Sequence, residues 1–197
     1  ATITGATSAA ATLNTINTAT TGLVTVNSTA ITGSLADVTT LYAANNAATP
    51  SVAGLGNEAI TLSDTTITVA QANAADALTT GAVTATISTN DIDTLATLTG
   101  TGNAYSITVT DASVSAANLI ALEAKLTGGT ISVLSTSVTG TASELSTIYG
   151  STSITGLASE AVTITDATVP ASDITAVDAL TRGVVRVGSA TITGTSG

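Results

Sequence analysis

The stretch Ala161-Val162-Thr163-Ile164-Thr165-Asp166 alternates apolar residues with threonine and ends in an acidic residue. Such period-two alternation predicts a strand with its valine and isoleucine on one face. Gly183 follows Asp166 by 17 residues, and this offset occurs four times. The strand-like stretches end at Gly5, Asp64, Asp111 and Asp166, and the glycines that follow them are Gly22, Gly81, Gly128 and Gly183. A recurring offset predicts an array of one repeated supersecondary unit.

Seven segments are marked out by the residue that ends each threonine-rich strand, which we call the anchor. The anchors are Gly5, Gly33, Asp64, a position near Thr89, Asp111, Gly140, Asp166 and Gly194. They define segments 5–32, 33–63, 64–88, 89–110, 111–139, 140–165 and 166–193, numbered 1 to 7. The mean length is about 27 residues per segment, a period typical of solenoids.

Two kinds of segment alternate. In segments 1, 3, 5 and 7, apolar residues lie at offsets 8 and 11 from the anchor: Leu13 and Ile16, Ala72 and Ala75, Leu119 and Leu122, Ile174 and Val177. This spacing predicts a helix of about ten residues that ends at the offset-17 glycine in a left-handed cap. In segments 2 and 6 the apolar offsets are 5 and 8, followed by Tyr42 or Tyr149, and a shorter helix is expected.

The fold class predicted from this pattern is α/β. A strand, a helix and a return strand in every segment give a parallel sheet with right-handed crossovers. We therefore expect residues 1–197 to form a single α/β solenoid with one short helix per turn, long and short helices alternating. The chain opens with Ala1-Thr2-Ile3-Thr4-Gly5 and repeats this pentapeptide at 190–194, so it reads as part of a longer array or filament.

Composition narrows the possible functions. The chain has 197 residues but no Phe, Trp, Met, Cys or His, so small and β-branched residues must fill its interior. Its net charge is −10, and Lys125, Arg182 and Arg186 are too few to form a basic surface for nucleic acid. No apolar stretch approaches the roughly 18 residues that span a bilayer. Without histidine or cysteine, and with Asp91 and Asp93 as the close acidic pair, the sequence predicts that the protein is not an enzyme.

Asp64, Asp111 and Asp166 are the candidate metal ligands. Each follows a strand and precedes a helix, a place where carboxylates can bind calcium. The alternative is that each accepts hydrogen bonds from nearby backbone amides as a turn or helix cap. The acidic or amide residues at offset 12, Asn17, Asp76, Glu123 and Asp178, likewise either collect divalent ions or form a solvated helix face. No cofactor is expected apart from this possible calcium.

Threonine triplets such as Thr108-Val109-Thr110 and Thr163-Ile164-Thr165 recur along the strands. Ranks of outward threonine order water in several ice-binding proteins. Threonine is also simply a good strand former that keeps an outer face soluble. Ice binding, like calcium binding, is therefore an alternative function.

The succession of Ala161–Asp166, of Ile174–Leu180 closing at Gly183, and of turns such as Val138–Leu145 resembles the repeat arrays of very large secreted cell-surface proteins of cyanobacteria and other aquatic bacteria. The resemblance implies an extracellular coat, filament or adhesin-like role and brings no catalytic residues. It also implies association end to end with other copies or with adjacent repeats of the same chain.

Overall fold

In the computed structural model, which describes residues 1–188 and 190–194, the chain is an α/β protein with parallel strand pairs and seven helices. The helices are α1 (Ala10–Ala19), α2 (Leu35–Asn45), α3 (Val69–Asp76), α4 (Ile92–Leu95), α5 (Ala116–Glu123), α6 (Ala142–Gly150) and α7 (Ala171–Asp178). One helix falls within each of the seven segments. The α/β class and the parallel pairing predicted from the sequence are confirmed.

Sixteen short strands connect these helices within the described residues. They are β1 (Thr2–Ile3), β2 (Thr7–Ala9), β3 (Val24–Val26), β4 (Ala30–Gly33), β5 (Val52–Ala53), β6 (Ala59–Leu62), β7 (Val83–Thr86), β8 (Ala104–Val109), β9 (Ser113–Ser115), β10 (Thr130–Val133), β11 (Ser137–Gly140), β12 (Ile154–Thr155), β13 (Ala161–Ile164), β14 (Thr168–Pro170), β15 (Val185–Val187) and β16 (Thr191–Thr193).

The chain divides into two compact units whose residues interleave. The first unit contains Ala1–Ser88, Leu98–Ser106 and Thr127–Gly129, and the second contains Thr89–Thr97, Ile107–Leu126 and Thr130–Gly197. Each unit has its own helices and its own buried aliphatic residues.

In the first unit, β3 lies between β1 and β5, and a second sheet runs in the order β2, β4, β6, β7 and the start of β8. Ile31 pairs with Ile60, Ile60 pairs with Val83, and all three side chains are fully buried. The outward residues of the same strands are threonines and the two alanines Ala30 and Ala59, as period-two alternation allows. Tyr105, also buried, donates from its hydroxyl to the carbonyl oxygen of Ala72 at 3.5 Å, on a helix whose core residues are only alanine and valine.

In the second unit, four strands run in the order β9, β11, β13, β15, and two further pairs are β10 with β12 and β14 with β16. Val114, Val138 and Val162 follow one another in register on three of these strands and are all buried. Helices α5, α6 and α7 pack in sequence on these sheets. Burial of such aliphatic columns, at about 25 cal/mol per Å², is the main stabilising term in a chain this poor in aromatics.

The strands pair at a shorter sequence separation than the anchors predict. Thr2 pairs with Thr25, Val162 with Val185, and Ser113 with Ser137, so most strands meet their equivalents a few positions sooner than the mean anchor spacing. The separation is longer after α2, where Ala30 pairs with Ala59, and shorter where Thr84 pairs with Ala104. Helices begin at different distances after the paired strands, so residues that end the strands in sequence are not register partners.

Two helix predictions are wrong. The helices of segments 2 and 6 are not consistently the shorter ones: α2 has 11 residues and α6 has 9, whereas α1 has 10 and α3, α5 and α7 have 8. Among the alternate segments only segment 4 has a short helix, the four-residue α4. The offset-17 glycines also do not end the helices, which stop three to five residues earlier. Of these glycines only Gly128 is left-handed, with φ +77°. Gly81 and Gly183 are required for another reason: a β-carbon there would overlap the carbonyl oxygens of Glu58 and Glu160.

Local sequence accounts for most of the helix starts. The Thr68 and Thr141 side chains accept from the amides of Gln71 and Glu144, whose own side chains return the bond in a capping box. Ser34 and Ser115 cap α2 and α5 by accepting from the amides of Asp37 and Asn118, without a capping box. Asp91 caps α4 by accepting from Thr94, which lowers the pKa of its carboxyl group, and Asp93 lies in the first turn of the same helix.

Candidate functional site

The anchor aspartates make their hydrogen bonds to a neighbouring segment. Asp64 Oδ2 accepts from the backbone amide of Leu35, the first residue of α2, at 2.7 Å. Asp111 Oδ2 accepts from the amide of Ile92, the first residue of α4, at 2.9 Å. Asp166 Oδ2 accepts from the amide of Ala142, the first residue of α6, at 2.8 Å. The first amides of a helix lack partners inside the helix and carry partial positive charge, so a carboxylate satisfies them well.

The glycine anchors Gly33 and Gly140 lie against the first residues of α1 and α5, the helices of segments 1 and 5. A β-carbon at Gly33 would lie 3.2 Å from the β-carbon of Ala10, the first residue of α1. At Gly140 the distance to Ala116 of α5 would be only 2.8 Å. The choice between aspartate and glycine at the anchor therefore follows the preceding helix: aspartate binds its first amide, whereas glycine makes room for its first alanine.

The three candidate calcium ligands are thus not brought together. Asp64 lies in the first unit, and Asp111 and Asp166 lie at different helix starts of the second. No group of three or more acidic residues converges anywhere in residues 1–188 and 190–194. Calcium binding stays a prediction, while each of the three carboxylates has the capping role that was its alternative.

Two of the offset-12 residues, Asp76 and Glu123, also reach across to a neighbouring segment. Asp76 Oδ1 accepts from Asn103 Nδ2 at 2.7 Å, 27 residues further on. Glu123 Oε1 accepts from the hydroxyl groups of Ser151 and Ser153. Asp76 and Glu123 are partly exposed, as a solvated helix face predicts, and each also joins two segments, while ion binding by this column stays a prediction. Asp178, in the last helix, is exposed.

A buried tyrosine–glutamate pair was missed in the sequence. Glu58 is 1% exposed, and its Oε2 accepts from the Tyr42 hydroxyl at 2.9 Å and from the amides of Gly56 and Asn57 at 2.8 and 3.2 Å. Glu160 is 5% exposed and is held in the same way by Tyr149 and by the amides of Ala158 and Ser159. The carboxylate closes the turn that leads into β6 or β13.

The signal for this pair was present in the repeated turns Gly54–Ala59 and Gly156–Ala161. Both keep a glutamate directly before the strand, and a tyrosine stands on the helix before each turn. In the shorter turn at 101–105, Asn103 takes the place of the glutamate, and its Oδ1 accepts from Val83 N at 2.7 Å. Burial first, and then the hydrogen bond to the carboxylate, raise the pKa of Tyr42 and of Tyr149. Burial and the charge of Asp76 raise the pKa of Tyr105.

A pocket of about 290 Å³ opens beside the buried glutamate in each unit. The two are equivalent by repeat position: one is lined by Val26, Ser28, Thr29, Gly54 and Glu58, the other by Val133, Ser135, Thr136, Gly156 and Glu160. Their walls offer hydroxyl groups and a carboxylate that already accepts three hydrogen bonds. This arrangement fixes a turn, and it presents no nucleophile paired with a base.

No helix in the part of the chain that the structure describes is long and apolar enough to cross a membrane. Comparison of the chain with protein-family models, with curated proteins and with solved structures gave no match. The function is therefore inferred from the contacts described above.

Proposed function

We propose that this chain is a non-catalytic structural segment of an extracellular surface-layer, filament or adhesin-like protein, built as an α/β solenoid that assembles end to end. One helix per segment, and parallel pairs that recur at nearly the same sequence separation, support stacked turns. In such an array each turn lends its neighbour apolar cover that a single turn lacks.

The observation that carries the proposal is that polar groups, too, are completed by the next segment. Asp64, Asp111 and Asp166 each bind the first amide of the helix before them. Asp76 and Glu123 each bind side chains of the segment after them. Contacts of this kind make neighbouring segments depend on one another, which suits a load-bearing or coating element.

The extracellular location is proposed from the resemblance to secreted repeat arrays and from composition. Lys125, Arg182 and Arg186 are the chain's only basic side chains, so few peptide bonds can be cut by trypsin-like proteases. Cell-surface labelling with an antibody against the purified chain, on intact and on permeabilised cells, tests this location. Signal that needs permeabilisation would contradict it.

Assembly is tested on the purified chain by sedimentation velocity over a wide concentration range, together with electron microscopy of negatively stained material. We expect species larger than a monomer that grow with concentration and appear as filaments or sheets. A chain that stays strictly monomeric at high concentration, with isolated particles in the micrographs, would count against the structural role.

A second candidate is water or ice binding by outward threonine. Thr32, Thr61 and Thr84 lie in register on β4, β6 and β7, and the last two are exposed. Thermal hysteresis of the chain, compared with a Thr61→Val/Thr84→Val variant, tests this candidate.

Calorimetric titration with calcium, of the chain and of an Asp64→Asn/Asp111→Asn/Asp166→Asn variant, tests the predicted metal binding.

A further inference from the structure

The last strands of the chain expose residues that are core residues one segment earlier. Ile192 of β16 pairs with Val169 of β14, yet Val169 is 1% exposed and Ile192 is 58% exposed. Val187 of β15 pairs with the fully buried Ile164 and is itself half-buried. Both β15 and β16 are edge strands of their sheets, and an edge strand offers free backbone groups to a further strand.

The first strands of the chain have the matching defect. Ile3 of β1 is half-buried, whereas its pairing partner Val26 is fully buried. The strands β1 and β2 are edge strands of their sheets. Each therefore has one side paired, to β3 or β4, and one side open to a preceding strand.

The two pairs of edge strands share one spacing. Ile3 pairs with Val26 and Ser8 with Ile31, and each of these inward positions is followed five residues later by the next: 3 and 8, 26 and 31. Val187 and Ile192 are also five residues apart, as are their partners Ile164 and Val169. When Val187 is placed beside Ile3, Ile192 therefore falls beside Ser8, and both strand pairs form in register.

Acidic side chains are absent from the strands at both ends of the sequence. All 13 acidic residues lie between Asp37 and Asp178. Residues 1–36 carry no charged side chain, and the side chains after Asp178 add only Arg182 and Arg186. Two copies with a net charge of −10 repel each other, but these two ends contribute none of the acidic side chains that cause the repulsion.

We propose that β15 and β16 of one copy pair in parallel with β1 and β2 of a second copy, with Val187 beside Ile3 and Arg186 beside Thr2. The proposal rests on the solenoid proposed above and specifies which surfaces meet.

The absence of cysteine allows a direct cross-linking test. Facing residues in neighbouring strands lie about 4.8 Å apart, within the reach of a disulfide. Thr2→Cys and Arg186→Cys variants are mixed in equal amounts and oxidised under mild conditions. We expect a heterodimer joined between these positions, formed at least roughly tenfold more than either homodimer, a ratio that corresponds to about 1.4 kcal/mol of preference.

Two outcomes would overturn the proposal. A statistical mixture of homodimers and heterodimers would mean that the ends meet without register. Thiols that react freely with a small reagent but form no dimer would show that these edge strands do not pair with a second copy. In either case filaments seen in the micrographs would still support the structural role, whereas an entirely monomeric chain would remove both.

A substitution at the apolar face gives an independent test in solution. Ile192→Asp places a carboxylate in the proposed contact, and we expect it to weaken association by roughly tenfold or more, because burying an unpaired charge is costly. Leu134→Asp is the matched control, since Leu134 is similarly exposed at 61% but lies outside the edge strands. Equal effects of the two substitutions on the sedimentation profile would contradict the proposed interface.

Discussion

The Tyr42 hydroxyl donates a 2.9 Å hydrogen bond to the carboxylate of Glu58, and neither side chain is more than 1% exposed. The same pair recurs between Tyr149 and Glu160, 11 residues apart in sequence. A carboxylate in such a place must be fully hydrogen-bonded, because an unsatisfied buried group costs more than the bond contributes.

Removing this donor is expected to destabilise the chain. Tyr42→Phe keeps the ring but takes one hydrogen bond from the Glu58 carboxylate, which should lower the free energy of unfolding by about 1–3 kcal/mol. The measurement is urea denaturation followed by circular dichroism. Thr39→Ala, at an exposed position of the same helix, is the control and should change stability by less than about 0.5 kcal/mol. Equal losses would show that the hydroxyl group contributes nothing.

The three tyrosines predict a loss of stability at alkaline pH. The pKa values of Tyr42, Tyr105 and Tyr149 are raised above the ordinary 10.0 by burial and by neighbouring carboxylates. A group whose pKa is raised on folding stabilises the fold at pH values below its unfolded pKa and loses that contribution as the pH rises. We expect stability to be level between pH 7 and 9 and to fall above pH 10. Tyrosinate absorbance should appear together with the loss of circular dichroism; ionisation near pH 10 with the fold intact would contradict this.

Gly81 and Gly183 are expected to tolerate no side chain. Gly81→Ala would push a methyl group against the carbonyl oxygen of Glu58, and we expect a loss of at least about 2 kcal/mol in the free energy of unfolding. Gly150→Ala is the control, because no atom lies within 4 Å of a β-carbon at this helix end. It should be neutral or stabilising by up to about 1 kcal/mol. Thermal unfolding of the two variants decides the matter, and a harmless Gly81→Ala would refute the close approach.

The anchor aspartates should behave as helix caps. Asp166→Ala removes the acceptor for the first amide of α6 and is expected to cost about 1 kcal/mol, and Asp166→Asn less. Asp173→Ala, which removes an exposed carboxylate from α7, is the comparison and should cost under about 0.5 kcal/mol. Chemical denaturation of the three variants gives the ranking. An Asp166→Ala variant as stable as the parent would remove the capping role.

Association is expected to strengthen with salt. Copies with a net charge of −10 repel one another over about 10 Å at 0.1 M ionic strength, whereas the strands of the proposed contact carry no acidic side chain. Sedimentation at low and at about 0.5 M sodium chloride should therefore show larger species at the higher concentration. Weaker association at high salt would indicate an interface held by opposite charges.

Local pattern was enough to predict that strands and helices alternate along this chain, although not where the helices end. The alternation in Val162-Thr163-Ile164 predicted a strand with a buried apolar face, and both Val162 and Ile164 are fully buried. The apolar residues at helical spacing, such as Leu119 and Leu122, lie in the core as expected. These features depend on residues close together in sequence, whose periodicity is visible without a structure.

Contacts between segments were not predictable in the same way. Asp64 was correctly placed at a turn, but its partner Leu35 stands 29 residues earlier, and the partners of Asp111 and Asp166 stand 19 and 24 residues earlier. With such variable separations no fixed offset reveals the pairing. The prediction that Gly81 and Gly183 cap helices was wrong for a related reason. Both glycines are required by the backbone of a neighbouring turn, and no local signal separates this role from a helix cap.

The measurement that tests the stacking of segments most directly is the formation of disulfides between register partners within one chain. Thr61 pairs with Thr84 in the first unit, and Thr163 with Arg186 in the second. We predict that the Thr61→Cys/Thr84→Cys and Thr163→Cys/Arg186→Cys variants each oxidise to an intrachain disulfide and unfold no earlier than the parent chain. Displaced pairs should remain reduced under the same conditions: Thr61→Cys/Ala104→Cys, which reaches one strand too far, and Thr163→Cys/Thr191→Cys. Disulfides that form equally in the displaced pairs, or in none of the four variants, would contradict the parallel stacking on which the account depends.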